Sequence, residues 1–245
     1  MSDLTAAHRG YEYQDLMEAG RVVDLQLGGI ARVHVDEKLM TDDRFDDLTV
    51  INADRSRERT QSKHSDEEGP LGYATFTTDN RGLMPDRLVA AAVADRDGPG
   101  AGATAHRLRI VMRDAPPDDA VLNAVMVPAR SSDAPFLAGM NTTLLRFDAE
   151  ALWRGFDLPA RGRRKAGNVF GFLTGGDTAV SKQDLEWLCE HLVVEVGAPA
   201  MTTNLLQPGP AEQLLLQRVR GELGAGHASS RTCTPLAEER GSSAR

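Results

Sequence analysis

Cysteine is almost absent from this chain. Cys189 and Cys233 are its two copies, far apart and without metal-ligand spacing. That excludes a disulfide framework or a cysteine-rich zinc module as the organising device, and a reducing, cytoplasmic compartment is the expectation. The six histidines (8, 34, 64, 106, 191 and 227) form no H-x-x-x-H pair and no Cys/His cluster. A nucleotide-binding phosphate loop is missing as well. Gly98-Pro-Gly100-Ala-Gly102 lacks the Gly-Lys-Ser/Thr ending, and it precedes an expected strand instead of following one. There is no G-x-S-x-G nucleophile element. No apolar run approaches the ~20 residues that would cross a bilayer; Leu88–Ala94 is the longest clear one, no signal peptide is read at the start, and no membrane partner is expected. Lysine is scarce, with four copies (38, 63, 165 and 182) among 28 basic residues.

What is present is ordinary for a soluble globular protein. The chain has 245 residues, 41% of them hydrophobic and 26% charged, enough to bury a substantial core. Its formal net charge of -8 argues against a dispersed basic surface for nucleic acid but leaves room for a local basic groove. The apolar positions Tyr13, Leu16, Met17, Val23 and Leu27 fit one face of a helix from about His8 to Leu27. Strands are expected at about 31–37, 45–52 and 58–64, then an irregular loop at 65–82 and a helix at Pro85–Asp95. Another strand follows at His106–Arg113. The second half reads as mostly helical, with candidates at about 117–127, 148–156, 181–191 and 210–223. Ser181-Lys-Gln-Asp184 has the form of a capping box, and a short strand pair at about 168–173 and 192–196 is weakly signalled. The expected class is α/β: one domain over 1–224, with a core at about 8–115, a helical extension at about 116–224 and a disordered tail over 225–245.

The chain is organised around Val33–His64. Side chains two apart on a strand share a face, so Gln61 and Lys63 point one way and Ser62 and His64 the other. If the three strand candidates pair as a meander, Asp47 on the middle strand lies beside Gln61 and Lys63. Alternation selects Asp47 over Asp46, because Asp46 shares its face with Leu48 and Val50. A carboxylate, an amide oxygen and an ammonium on one sheet face can hold a hard divalent cation and a water near a phosphate. The ordinary alternative for each is a solvated strand or turn residue. Lys63 carries independent weight, because a chain that strongly prefers arginine uses a compact amine there. Two basic groups are candidates for phosphate contact: Arg161, Arg163, Arg164 and Lys165, and the alternating Arg55, Arg57 and Arg59.

Taken together, Arg9-Gly10-Tyr11-Glu12-Tyr13-Gln14-Asp15, then Asp46-Asp47-Leu48-Thr49-Val50, then Gln61-Ser62-Lys63-His64 resemble a known domain. It is the double-stranded DNA nuclease domain of bacterial anti-phage defence systems of the cyclic-oligonucleotide (CBASS) and NTPase-linked types. That domain belongs to the PD-(D/E)xK, restriction-endonuclease-like superfamily, and the resemblance spans roughly residues 8–112. It implies an αβββαβ core and Mg²⁺-dependent cleavage of duplex DNA, with Mn²⁺ as a substitute ion. On the matching positions, Asp47 is the motif aspartate, and Gln61 and Lys63 are the Q-x-K variant of (D/E)-x-K. Glu37 matches an upstream acid and Gln14 the helix-borne glutamine. Asp47, Glu37 and Gln61 would be the metal ligands. The same resemblance implies a homo-oligomer and a sensor or NTPase partner, since the usual companion module is not seen in this sequence. The competing expectation is a catalytically degenerate DNA-binding or interaction module of a larger defence complex.

Overall fold

Three short β-branched or charged segments separated by polar turns form an antiparallel meander, and the rest of the sheet grows from its third strand. The computed structural model describes residues 3–25, 30–63, 69–72, 74–77, 83–137, 139–157, 181–199 and 209–229. The elements run α1 (Asp3–Leu25), β1 (Ile30–Val35), β2 (Leu48–Asn52), β3 (Arg57–Lys63), α2 (Ala74–Thr77), α3 (Pro85–Asp97) and β4 (His106–Met112). They continue with α4 (Ala120–Val125), β5 (Met126–Pro128), β6 (Thr143–Phe147), α5 (Ala149–Asp157), α6 (Lys182–His191), β7 (Leu192–Val196) and α7 (Pro210–Ser229). The fold is α/β, with one seven-stranded mixed sheet in the order β1-β2-β3-β4-β7-β6-β5. β3, β4 and β7 run parallel, and antiparallel pairs flank them on both sides. The helix–three strands–helix–strand order expected for the first half is present, with α2 as an added turn of helix.

Period-two alternation divides the core between the sheet's two faces. On one face, Leu48, Val50 and Val111 pack with Tyr13 and Met17 of α1 and with Phe136 and Leu137. On the other, Leu108, Ile110, Met112, Leu192, Val194 and Val196 meet Leu88, Ala91 and Ala92 of α3 and Leu185 and Leu188 of α6. Central strands covered on both faces read as near-continuous apolar runs, which is why β4 and β7 are apolar along most of their length. Helix ends follow local chemistry. Pro85 opens α3, where its missing N–H costs nothing. Ser181 caps α6 by accepting from the Asp184 N–H at 3.0 Å, as its sequence predicts.

The second half departs from its expected helical character. It gives β5, β6 and β7 to the same sheet, so residues beyond 115 complete the core instead of flanking it. β5 is three residues long and β6 five, too short for period-two alternation to stand out from the helical periodicity around them. β7 was expected to pair with residues 168–173, which lie outside the described residues; its partners are β4 and β6. In the expected tail, α7 runs on to Ser229, and residues 230–245 lie outside the described residues. Among the described residues, no helix is long and apolar enough to cross a membrane.

Candidate active site

The long connection between β1 and β2 delivers the central carboxylate, and a buried arginine shapes it. Arg59 on β3 is fully buried and binds both oxygens of the equally buried Asp43, at 2.9 and 3.3 Å. It also donates to the Glu37 carbonyl at 3.0 Å and to Thr49 Oγ1 at 3.2 Å. Asp43 in turn accepts from the Leu39 and Phe45 N–H groups. One side chain thereby pins both ends of the connection, and Asp47 follows at the mouth of β2.

Leu48 pairs with Thr60 across the β2–β3 ladder, which sets Asp47 level with Gln61. Asp47 is buried, and its Oδ2 accepts from the Ser62 N–H at 2.5 Å. The Gln61 amide stands close enough to the same carboxylate to favour its charged form. Burial raises the Asp47 carboxyl from its ordinary 3.8 to about 6, against the lowering pull of Ser62, Lys63 and Gln61. Lys63, at the end of β3, is pushed below the usual lysine range by burial and held up by the charges of Asp47 and Asp46. The trio expected from strand alternation is therefore together: a desolvated carboxylate, an amide beside it and an ammonium whose charge it feels.

Helix α1 contributes an acid the sequence reading passed over. Glu18 is buried and lies near enough to Asp47 and Asp36 for their charges, together with burial, to raise it to about 7. Gln14, one turn earlier, donates to Glu18 Oε1 at 2.9 Å and to Asp36 Oδ1 at 3.2 Å. It acts as a clip between α1 and the end of β1, a positioning role. Asp36 has a left-handed backbone (φ 54°), and its N–H binds the Asp47 carbonyl at 2.9 Å. Aspartate tolerates that conformation better than most residues. The signal for Glu18 was its i,i+4 spacing from Gln14, beside the core-facing Tyr13 and Met17.

Two expectations need correcting. The left-handed turn at Asp36 sends Glu37 away from the site: its carboxylate takes Arg57 at 3.2 Å and lies 3.7 Å from His34. Asp36, not Glu37, is the acid turned toward α1. Arg57 and Arg59 are no phosphate contacts, being buried and paired, Arg57 with Asp95 at 2.7 Å. Arg55 is exposed. Arg161, Arg163, Arg164 and Lys165, with His64, lie outside the described residues.

The acids have a consequence for stability. Both Glu18 and Asp47 are raised on folding, so their contribution is fully present below their unfolded values near 4 and is lost as pH rises through 6 to 7. For Asp47, the rise from 3.8 to about 6 corresponds to about 3 kcal/mol. Urea unfolding in EDTA across this range should therefore show a Glu18→Gln/Asp47→Asn double variant gaining on the wild type as pH rises. A wild-type-to-variant difference that stays constant from pH 4 to 8 would disprove the raising of these two acids by burial.

No family model, curated protein or solved structure matches the chain. The site therefore stands on its geometry.

Proposed function

We propose that the chain is a Mg²⁺-dependent endonuclease of duplex DNA, with Mn²⁺ as a substitute ion, built on a restriction-endonuclease-like core from α1 to β4. The proposed setting is the effector arm of an anti-phage defence system. The observation that carries the reading is the meeting of Asp47, Gln61 and Lys63 at adjoining strand ends, with Glu18 brought up from α1.

The donor set suits the ion. Among the described residues no group of three or more His, Cys, Asp and Glu side chains could hold a metal. Magnesium, however, is commonly held by one or two carboxylates with waters and substrate phosphate oxygens, not by an all-protein cage. Burial disfavours the charged forms of both Asp47 and Glu18, and a cation bound between them would favour the carboxylates. When bound, the metal supplies Lewis-acid polarisation of the phosphate and an acidified water. The chain's own residues do the rest. Ser62 N–H fixes the Asp47 rotamer, and Gln14 holds Glu18. Lys63, stripped of much of its hydration, donates to the attacking water or to the developing charge on phosphorus. Water attacks, the 3′ oxygen leaves, and the product carries a 5′-phosphate.

Supercoiled plasmid incubated with purified protein should be nicked or linearised in Mg²⁺ and remain intact in EDTA. The second reading, a DNA-binding or interaction module without catalysis, is favoured by one observation: the Ser62 N–H already occupies one oxygen of Asp47. It predicts retained duplex binding with intact plasmid in both conditions. Partners belong to the same proposal. The strands of duplex DNA are antiparallel, so a double-strand break calls for two copies about a two-fold axis. The net charge of -8 opposes both self-association and DNA capture, leaving assembly to a sensor or NTPase partner.

A further inference from the structure

Arg44 lies in the β1–β2 connection, three positions before Asp47. Its side chain is only 20% exposed, yet it lacks what a withdrawn arginine normally has. Among the described residues the carboxylate near its guanidinium is that of the exposed Asp42, at 3.8 Å, too long for a hydrogen bond. Its Nε is buried without a hydrogen-bond partner. The contrast with its neighbours is direct, since Arg57 and Arg59 both have carboxylates within 3.0 Å. Arg44 also lies near Lys63, at the same end of the β2–β3 pair as Asp47. Lys63 has no ion pair of its own among the described residues, and Asp46, the other acid it feels, is engaged by Lys38 at 3.4 Å.

Two half-buried cations thus stand at the edge of an acidic site, and the buried Nε–H of Arg44 has no acceptor. An anion with several oxygens would satisfy both. A phosphodiester presents two non-bridging oxygens; the planar fork of arginine matches them, and lysine adds a point charge.

We infer that Arg44 and Lys63 form a phosphate subsite beside Asp47, in which the Arg44 fork takes the non-bridging oxygens of a nucleic-acid backbone phosphodiester. The subsite rests on the proposed cleavage only for the identity of the diester. It also accounts for the rigid connection: Asp43 and Phe45, the residues on either side of Arg44, are both buried, and Asp43 is locked by Arg59.

The test begins with metal-free, ¹⁵N-labelled full-length protein, following the Arg44 Nε–Hε resonance while adding inorganic phosphate and, separately, a short DNA duplex. Both probes should shift it saturably. Arg44→Met, which keeps much of the apolar stem, should weaken duplex binding about tenfold or more, and Arg44→Lys should recover part of the loss. An unmoved resonance with both probes overturns the inference, as does wild-type duplex affinity in Arg44→Met. Shifts with phosphate but not with duplex overturn the diester assignment. The proposed cleavage fails separately. Saturable binding of both probes at Arg44 by a protein that leaves plasmid intact in Mg²⁺ supports the subsite and removes the nuclease. Cleavage with unchanged KM and kcat in Arg44→Met does the reverse.

Discussion

Asp47→Ala and Lys63→Ala are each expected to reduce Mg²⁺-supported plasmid cleavage by about a hundredfold to ten-thousandfold, the range for removing a positioned proton donor or charge stabiliser. The fold should survive both changes. In Asp47→Ala two effects on stability oppose one another. The Ser62 N–H loses its acceptor, which costs about 1–3 kcal/mol. At neutral pH, however, the variant also removes a desolvated carboxylate whose ionisation works against the fold. Lys63→Ala likewise removes an ammonium that burial disfavours. Lys63→Arg should rescue little, because the guanidinium is a broad planar fork that neither reproduces a compact point charge nor gives up its proton. Rates would be measured on supercoiled plasmid beside thermal unfolding of the same preparations. If either alanine variant cleaves within a few-fold of wild type with an unchanged melting temperature, its role at the site is lost.

The readable part of this site was the part governed by strand geometry. Period two alone put Gln61 and Lys63 on one face, and pairing of consecutive strands brought Asp47 beside them, as the Leu48–Thr60 register shows. What escaped depended on backbone turns and on charge burial. The resemblance put the upstream acid at Glu37, on a strand expected to reach residue 37, whereas β1 ends at Val35. The left-handed Asp36 reverses the facing there, and aspartate at such a position has no periodic signature. Arg57 and Arg59 read as candidates for phosphate contact at a hairpin, since single-sequence patterns do not reveal that Asp43, Asp95 and Glu37 come from elsewhere to meet them. The same holds for the fold. β7 is apolar at four of its five positions and was visible, whereas β5 and β6 become strands through sheet neighbours distant in sequence. Local propensity carried the helix caps, and tertiary pairing decided the short strands.

Glu195→Ala is expected to have the largest effect on stability in the molecule, about 3–5 kcal/mol, the usual consequence of stranding one partner of a buried ion pair. Glu195 on β7 is fully buried and accepts three bonds, from Arg109 at 2.6 Å, the Phe136 N–H at 2.7 Å and Thr142 at 2.8 Å. Removing it leaves Arg109, itself 1% exposed, with the Ala134 carbonyl at 3.0 Å and Glu58 at 3.5 Å as remaining partners. For a chain of this size the loss corresponds to a melting point lower by roughly 6–20 °C. Pairing the change with Arg109→Met tests the cause. If the stranded charge dominates, the double variant should be more stable than Glu195→Ala alone, a coupling visible in a double-mutant cycle. A loss below about 1 kcal/mol in Glu195→Ala, or strict additivity with Arg109→Met, would refute the account. Cleavage offers an independent check, since this network lies on the α1 face and touches the site only indirectly. Arg21 of α1 bonds the Phe136 carbonyl at 3.4 Å and Glu58 at 3.3 Å, so the segment that Glu195 anchors helps to seat the helix bearing Gln14 and Glu18. At temperatures where Glu195→Ala remains folded, its activity should fall far less than that of Asp47→Ala, because Asp47 and Lys63 take their positions from β2, β3 and the connection locked by Arg59.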